Sequence, residues 1–476
     1  MAEQPGMERH FLRQLSLPDL SVLSISSVGP LFSLAAAGQL LVTLMGADVL
    51  GAILAVAVPF ILSAAIFRVM NQHFPHAGAS YHWSRRVLGL RASHFQSWIL
   101  LMAYFWSLPP IIIPAAEQTL ALLGDPSPTA AAVVLAGTGW TIFSGGVLWF
   151  GSRVTARVTQ VFLWLEMLAI LVLGIVGVRH WHPVVGAGPA PSFQHWGVAM
   201  VVAATIVDGW EIDSYAAEES HKPRHGPGTA GMIGAVMVLL YYGLAWTVLL
   251  HNVPVSVLAA HPDVLLTWAR QTIPQNSHWA LLPILASTAG SLWLTAFILS
   301  RALFAMGRDR LLPSAFSRLN RFHAPAWAIL LPVGGALVVV WINLIWPSVN
   351  GLFQLVLSSA GFFLVLEFLF DSITASVFLG QPHRYSLPHN WDRHHHRFLR
   401  AVAYVNTGWL GAMVLGFLWY GGQVLGHHLI EVLGIMLAGG LAFVVWAARR
   451  HRSGTDYYIY EPDREPGVLP TAPPPQ

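Results

Sequence analysis

The sequence predicts an all-α integral membrane protein with twelve transmembrane helices. Of its 476 residues, 55% are hydrophobic and only 10% are charged, and the mean hydropathy is +0.59. A soluble protein of this length needs far more charged surface to stay dissolved. Long apolar runs also recur along the chain, each close to the roughly 20 residues that cross about 30 Å of hydrocarbon.

The apolar runs divide into twelve expected spans. They lie near residues 18–44, 49–71, 94–123, 129–150, 157–178, 195–217, 228–250, 279–306, 326–346, 351–379, 402–421 and 427–448. The first span is expected to stay in place, because the stretch before it has no cleavable signal architecture. The longest segment between spans, from about His251 to His278, is expected to carry a short amphipathic helix.

Basic residues occupy alternate loops between these spans. One side carries Arg9, Arg13, Arg85, Arg86, Arg91, Arg153, Lys222, Arg224, Arg308, Arg310, Arg318, Arg321, Arg384, Arg393, Arg397, Arg400, Arg449, Arg450 and Arg452. The opposite side carries Arg179 and Arg270. Since an excess of Lys and Arg marks the cytoplasmic face, we expect a multi-pass protein of the cell membrane with both termini in the cytoplasm.

Composition excludes several chemistries. The chain has no cysteine, so disulfides, thiolate metal sites and thiol nucleophiles are excluded. The run "RHHHR" at 393–397 lies in a basic loop and is interpreted as an orientation signal rather than a metal site. We therefore predict no metal, no cofactor and no nucleic-acid partner.

The first span contains poor sequence for a membrane helix. In "SVLSISSVGPLFSLAAAG", polar and helix-breaking residues stand where Leu or Ile is expected. Proline removes a backbone donor and clashes with the preceding turn, and glycine lets the chain leave helical geometry. We expect the helix to unwind at Gly29 and Pro30, although an ordinary kink remains the alternative.

The sixth span contains a second such stretch, "VDGWE", five spans later. Unwound backbone at membrane depth persists only where it lines a cavity inside the protein, because lipid cannot satisfy its polar groups. Broken helices at matching positions are the pattern that an inverted five-plus-five repeat leaves in a sequence. Their half-helix ends can hold an anionic group and a cation.

Five carboxylates follow one another in "AATIVDGWEIDSYAAEES". Glu218 and Glu219 are expected to be solvated caps at the cytoplasmic end of the span. Asp208, Glu211 and Asp213 lie deeper, where an ionised side chain costs at least about 2.5 to 3.5 kcal/mol. Removal from water favours the neutral acid, so such a group can take up and release protons. We predict that this stretch lines a pathway and that Glu211 is its titrating member.

Three motifs resemble amino acid permeases of the amino acid–polyamine–organocation (APC) superfamily. "FPHAGASYHWSRRVLG" is similar to the loop after the second helix, and "DGWEIDSYAAEESHKP" is similar to the sixth-helix motif. "SRALFAMGRDRLLPSAFSRLNRFHAPAWAI" most closely resembles the loop after the eighth helix. Together the matches cover roughly residues 1–380 and identify the chain as a suspected member of this superfamily.

The resemblance implies the LeuT-like fold, in which two inverted five-helix repeats alternate access to a site at the unwound first and sixth helices. The implied segments are a cytoplasmic N-terminus at 1–17, a transporter core at 18–379 with repeats near 18–178 and 195–379, a cytoplasmic loop with the last two helices at 380–448, and a cytoplasmic tail at 449–476 with an end predicted to be disordered. The implied substrate site is Ser26, Ser27, Val28, Gly29, Pro30, Asp208, Gly209 and Trp210. Glu211 matches the acid that takes part in coupling in proton-linked members.

Two positions depart from the family pattern. The first helix has "SSVGP" in place of the glycine-serine-glycine run whose amides hold the substrate carboxylate, which makes an α-amino acid substrate less secure. Glu166 aligns near a position often filled by a lysine whose ammonium replaces a sodium ion. A carboxylate there is a candidate to carry a proton or bind a cation.

The remaining candidates keep a structural alternative. Tyr104 is included in the predicted substrate site, although packing is the alternative for it and for Trp106 and Trp293. Arg308 and Asp309 are predicted to act as a cytoplasmic gate or loop clamp. The acids Glu367 and Asp371 lie inside the tenth span, where a functional role and a structural hydrogen bond are equally good interpretations.

These observations predict a secondary transporter, not an enzyme, for an amino acid or related amine. Transport is expected to be coupled to protons or to exchange against another solute, in the lipid bilayer and with an oligomeric state that the sequence does not reveal. The alternatives are a polyamine or cationic amino acid transporter or antiporter, and a non-transporting sensor or partner subunit. A haem-ligating redox enzyme requires apposed mid-span histidines, and most histidines fall near span ends or in loops.

Overall fold

The computed structural model describes residues 10–186, 190–345, 350–381, 393–426 and 428–450. Within those ranges the chain is helical, and strand-like pairing is limited to the isolated bridges Leu15–Ser220 and Leu319–Pro325. The predicted tail end, residues 451–476, lies outside the described residues, whereas the run "RHHHR" at 393–397, predicted to lie in a loop, begins a helix.

Eighteen α-helices form the described chain. They are α1 Leu17–Ser27, α2 Pro30–Met45, α3 Val49–His73, α4 Ala79–Val87, α5 Leu90–Leu100, α6 Pro109–Leu122, α7 Ala130–Trp149, α8 Ser152–Arg179, α9 Phe193–Val207, α10 Ile212–Tyr215, α11 Gly226–Asn252, α12 Val255–Ala260, α13 Val264–Thr272, α14 Leu281–Arg308, α15 Ala326–Ile345, α16 Asn350–Gly380, α17 Arg393–Leu425 and α18 His428–Arg450. A π-helical turn, Leu101–Phe105, follows α5. The short helices α12 and α13 occupy the segment where an amphipathic helix was expected.

Nine helical stretches among the described residues are long and apolar enough to cross a membrane. They are Leu17–His73, Leu90–Leu122, Ala130–Trp149, Ser152–Arg179, Gly226–Asn252, Pro274–Arg308, Ser359–Gly380, His396–Leu425 and His428–Arg449. Large apolar side chains such as Trp164, Trp419 and Ile435 are exposed on them. In water such a surface is unfavourable, but it suits helices that face lipid. The protein is therefore a multi-pass membrane protein.

The first apolar stretch is interrupted at the predicted glycine. Helix α1 ends at Ser27, Gly29 adopts a left-handed conformation with φ of 54°, and α2 begins at Pro30. Glycine takes positive φ without steric cost, and proline suits the first helical position because its missing N–H has no partner there. The two residues therefore end one helix and start the next.

A second interruption separates α9 from α10. Helix α9 ends at Val207, Asp208 is extended, and Gly209 has φ of 115°. The hydroxyl of Tyr242 on α11 donates a hydrogen bond to the carbonyl of Ile206, one of the acceptors that the helix end leaves free. A side chain from a neighbouring helix thus satisfies backbone that lipid could not.

The two interruptions touch each other. A Cβ atom at Gly209 would lie 2.9 Å from the carbonyl carbon and oxygen of Ser27, closer than packed atoms approach. The chain is also tied together at the other end of α1, where the amide of Leu15 donates to the carbonyl of Glu219 and the amide of His221 donates to the carbonyl of Leu15. The two broken segments are therefore also joined at the end of the molecule where α1 begins. We call this end the basic end, because Arg85, Arg301 and Arg308 lie there.

Candidate functional site

A cavity of about 310 Å³ lies where the two interruptions meet. Its wall comes from α2, the segment from the π-helical turn into α6, α9, α14, α16 and α17. Most of the wall is apolar, formed by Phe32, Leu40, Ile111, Val201, Ile298, Leu364 and Phe417. A volume at the low end of the range for ligand pockets suits a small solute.

Polar groups are few and lie near the interruptions. Among the described residues that line the cavity, Asp208 is the one that bears a formal charge when ionised. Its Oδ1 atom is buried and accepts no hydrogen bond within the described structure, and the hydroxyl of Ser27 is in the same condition. Buried polar atoms without partners are costly, so both atoms are available to a bound solute.

The structure divides the predicted substrate site into two groups. Ser27, Val28, Asp208, Gly209 and Tyr104 line the cavity. The residues that do not line it are Ser26, Gly29, Pro30 and Trp210. They lie in the packing behind the wall.

Packing partners account for two members of the second group. The ring of Trp210 stacks on Phe368 with centroids 5.6 Å apart and meets Phe67 edge to face. Gly29 packs directly against Ser291 of α14, where any Cβ would overlap the serine side chain. Their positions therefore hold the interrupted helices together.

The aromatic candidates also differ in position. Trp106 lines the cavity together with Tyr104. Trp293 does not; its indole N–H donates a hydrogen bond of 2.9 Å to Thr159 on α8, and its ring meets Phe143 and Phe162 edge to face. The packing interpretation thus fits Trp293.

Glu211 lies directly behind the cavity wall and is fully buried. The Tyr104 hydroxyl donates a hydrogen bond of 2.9 Å to its Oε1 atom, and the amide of Gly209 donates one of 3.0 Å to Oε2. Because Tyr104 lines the cavity, this carboxyl group is one hydroxyl away from a bound solute. A change in its protonation would act on both the cavity wall and the interruption at Gly209.

Glu166 is buried between α8 and the first interrupted segment. Its side chain is fully buried, and neither carboxyl oxygen forms a hydrogen bond of normal geometry within the described residues. The hydroxyls of Ser26 and Ser287 lie beside it. This carboxyl group is separate from the cavity, although it contacts the same α1 segment.

Ion pairs connect several elements at the basic end. Arg308 donates hydrogen bonds of 2.9 and 2.6 Å to the carboxylate of Glu218, and Arg301 donates one of 2.9 Å to Glu219. Asp309 pairs with Arg85 of α4. These pairs connect the segment after α10 and the helix α4 to the end of α14.

The expectation that Glu218 and Glu219 are solvated caps is wrong. Both are buried, because arginines of α14 meet them across the fold. Burial by itself would raise the pKa of Glu218, but the Arg308 guanidinium and its hydrogen bonds outweigh that effect and lower the pKa. For Asp309, burial outweighs the attraction of Arg85, and its pKa is raised.

Two histidines complete this cluster. The rings of His76 and His82 stack with centroids 3.8 Å apart, and the Nε2 atom of His76 lies 2.7 Å from Arg308. Burial, followed by the nearby arginines, lowers the pKa of His76 well below its usual value. For His82, burial, the neighbouring imidazole and the arginines have the same effect on the pKa. Both imidazoles are therefore neutral at neutral pH.

A bundle of long apolar helices around an internal cavity at two helix interruptions defines a membrane transport protein. Comparison with known proteins gives the family: the amino acid permease family matches residues 15–418. The chain belongs to this family. It is therefore a transporter and not an enzyme.

The curated relatives have low sequence identity to this chain but align with about two thirds or more of its length. The chain is 24% identical to the branched-chain amino acid permease BcaP of Lactococcus lactis over 370 residues, which cover 71% of this chain and 77% of that protein. It is 25% identical to the uncharacterized transporter lpg1691 of Legionella pneumophila, over 69% of this chain and 75% of that protein. The BcaP permease of Bacillus subtilis is 22% identical, over 66% of this chain and 71% of that protein.

Proposed function

We propose that this protein is a secondary active transporter of an amino acid with an apolar side chain, working by alternating access and driven by protons or by exchange. The observation that carries the proposal is the small cavity at the meeting point of two helix interruptions, with one carboxyl group in an apolar wall whose Oδ1 atom has no partner in the described structure. The two distant relatives named as branched-chain amino acid permeases agree with such a substrate.

The proposal includes the LeuT-like arrangement of twelve spans. The stretch Leu17–His73 contains α1 and α2 as one interrupted span and α3 as another. The nine stretches therefore contain ten spans, and the shorter apolar helices Phe193–Val207 and Ala326–Ile342 bring the number to twelve. The interruptions then lie five spans apart, which supports an inverted five-plus-five repeat.

Substrate polarity follows from the ends of the broken helices. We assign the substrate ammonium to Asp208 and to the carbonyl ends of α1 and α9, where helix dipoles are negative. The substrate carboxylate faces the N-terminus of α2, where the dipole is positive. The apolar wall receives the side chain.

A cationic amino acid or a polyamine is the second candidate. Asp208, as the charged group of the wall, favours a ligand with net positive charge, which the departure of "SSVGP" from the family pattern also allows. Thermal stability of the detergent-purified protein distinguishes the two: stabilisation by leucine or valine supports the first candidate, and stabilisation by putrescine or arginine alone supports the second. Asp208→Asn should weaken either effect.

Coupling is assigned to Glu211, with Glu166 as a second titrating group or cation ligand. Protonation of Glu211 would alter its hydrogen bonds with Tyr104 and Gly209, and so would change the cavity wall and the second interruption together. The distribution of arginine supports a cytoplasmic location for the basic end and for both termini. Opening to the cytoplasm would then require the Glu218–Arg308 and Glu219–Arg301 pairs to separate.

Reconstitution into proteoliposomes tests the proposal. Wild-type protein should accumulate labelled leucine when the pH gradient is inward and acidic outside, whereas Glu211→Gln should lose accumulation but keep exchange of internal for external leucine. A purified, folded wild-type protein that moves no amino acid or amine would reduce the chain to a sensor or partner subunit. Unchanged proton dependence in Glu211→Gln would remove this residue from coupling.

A further inference from the structure

A second group of buried acids lies on α16, between the cavity and the basic end. Glu367 and Asp371 are one helical turn apart, and both are almost completely buried. The hydroxyl oxygen of Ser80 on α4 lies within hydrogen-bond distance of both acids, 3.2 Å from Glu367 and 2.7 Å from Asp371. The hydroxyl of Tyr215 on α10 donates one of 2.7 Å to Glu367. One hydroxyl thus bridges two carboxyl groups.

This pair is connected to the cavity through aromatic hydroxyls. Tyr104, which lines the cavity and donates to Glu211, meets Tyr215 edge to face with ring centroids 6.2 Å apart. Its hydroxyl also lies beside the Glu367 carboxyl group. A continuous series of titratable groups therefore runs from Glu211 to Glu367 and on, through Ser80, to Asp371.

The series leads away from the cavity toward the basic end. Asp371 is one turn, about 5–6 Å, beyond Glu367 along α16, in the direction of the C-terminal residue of that helix, Gly380. Ser80 belongs to α4, the same short helix that carries Arg85. The acids thus contact the same helix, α4, that carries one of the ion pairs of the basic end.

The buried pair lacks compensation by cations. Within the described part of the chain, neither Glu367 nor Asp371 forms an ion pair, and Oε2 of the first and Oδ1 of the second accept no hydrogen bond. Two ionised carboxylates that share a buried site repel each other and are poorly solvated, so one of them must hold a proton or a cation. The unpartnered oxygens mark where it is held.

Several helices pack against α16 around the pair. Next to the pair along α16, Phe60 and Phe67 of α3 meet Phe368, and the amide of Asn406 on α17 donates a hydrogen bond to Ser372. α5 carries one buried imidazole, His94. The titratable side chains that act on the pair itself are Tyr104, Tyr215 and Glu211. Among the described side chains, the elements packed against α16 also carry Arg68, His73, Tyr81, His82, Arg85, Arg86, Arg91, His94, His195, His396, Arg397, Arg400, Tyr404, Tyr420, His428, Glu431 and Arg449.

We propose that Glu367 and Asp371 form a second proton-holding site, through which protons released from Glu211 leave toward the basic end. The inference rests on the proposed proton-coupled transport. In the transfer, the Glu211 carboxyl proton passes to the Tyr104 oxygen while the Tyr104 hydroxyl proton passes to the Glu367 carboxylate, so the tyrosine stays neutral. Ser80 then transfers a proton to Asp371 in the same way.

Proton and substrate movement measured together in proteoliposomes test this site. An internal pH dye reports protons, and labelled leucine reports the substrate. Glu367→Gln should keep leucine exchange but lower the rate of proton-driven uptake by about a hundredfold or more, the size expected when a positioned proton carrier is removed. The matched control is Glu431→Gln, the same substitution at an exposed position of α18, and it should keep both activities.

Ser80→Ala gives an independent measurement if Glu367→Gln fails to fold. This variant removes the bridging hydroxyl with little change in volume, so proton-driven accumulation should fall while leucine exchange persists. Proton-to-leucine ratios equal to wild type in either folded variant would overturn the second site but leave the proposed function intact. Transport by the wild-type protein that is driven by sodium instead of protons would overturn both the second proton site and the proposed proton coupling. If Glu367→Gln then lost the sodium dependence, the pair would be a cation site.

Discussion

Removal of one carboxylate at the basic end should open the cavity on that side. Glu218 receives two hydrogen bonds from Arg308 and one of 2.9 Å from the amide of Ala77. The side chains of the pair are only 5% and 9% exposed. In the closed structure, Glu218→Gln would therefore leave the Arg308 guanidinium poorly solvated and without its carboxylate. The substitution should destabilise the closed structure and not the open one.

The size of the effect follows from that burial. Removing one partner of a buried ion pair costs about 3–5 kcal/mol. The low end applies here, because glutamine still offers an oxygen acceptor to Arg308 and Ala77. A cost of about 3 kcal/mol shifts the ratio of closed to open protein by about a hundredfold, since each 1.4 kcal/mol is a factor of ten.

A thiol reagent can measure this shift directly, because the chain contains no cysteine. Thr205→Cys places a single thiol on the cavity wall. A membrane-impermeant reagent added at the basic end should label it up to about a hundredfold faster in Glu218→Gln than in the parent. Glu431→Gln, which removes a carboxylate from an exposed pair with His428, should leave the rate unchanged. Equal labelling in a folded Glu218→Gln protein would refute the role of this pair in closure.

Three further perturbations test other parts of the structure. Gly209→Ala should lower the free energy of unfolding by roughly 2–6 kcal/mol, from positive-φ strain and from overlap with Ser27, seen as a lower melting temperature in detergent; an unchanged melting temperature would contradict the contact between the interruptions. Below about pH 6.5, labelling from the basic end should increase. The closed form keeps His76 and His82 neutral, with lowered pKa values, so it loses stability relative to the open form as pH falls. A labelling rate that does not change with pH would refute this role of the two histidines. Glu166→Ala should change transport while the melting temperature stays near the parent's, and wild-type rates would make the residue structural.

Local features of the fold could be predicted from the sequence, whereas long-range pairs could not. Gly29 and Gly209 interrupt their helices where expected, because positive φ and a following proline are properties of the residues themselves. The sequence predicts Glu218 and Glu219 to be solvated, but they are buried, because their partners lie 90 and 82 residues away on α14. A single sequence carries no signal for such a distance.

Within the site, the helix direction decided which predicted residues reach the cavity. Ser27 lines it while its neighbour Ser26 packs toward Gly290 of α14, with a Cβ there only 3.2 Å from the serine hydroxyl. The π-helical turn that ends at Phe105 also had no sequence signal, although it brings Tyr104 to Glu211. Motif matching finds the interrupted segments, and packing selects the side chains within them.

The two acids of the second interruption are close in sequence but have different surroundings. Asp208 precedes Gly209 and lines the cavity with a free oxygen, whereas Glu211 follows it and is enclosed behind Tyr104. Both carboxyl groups are therefore close to the same glycine, one on the cavity side and one behind Tyr104. Because Gly209 also contacts Ser27 of the first interruption, a ligand at either acid would act on both broken helices through one contact. Substrate binding and protonation would then be coupled without any long-range pathway.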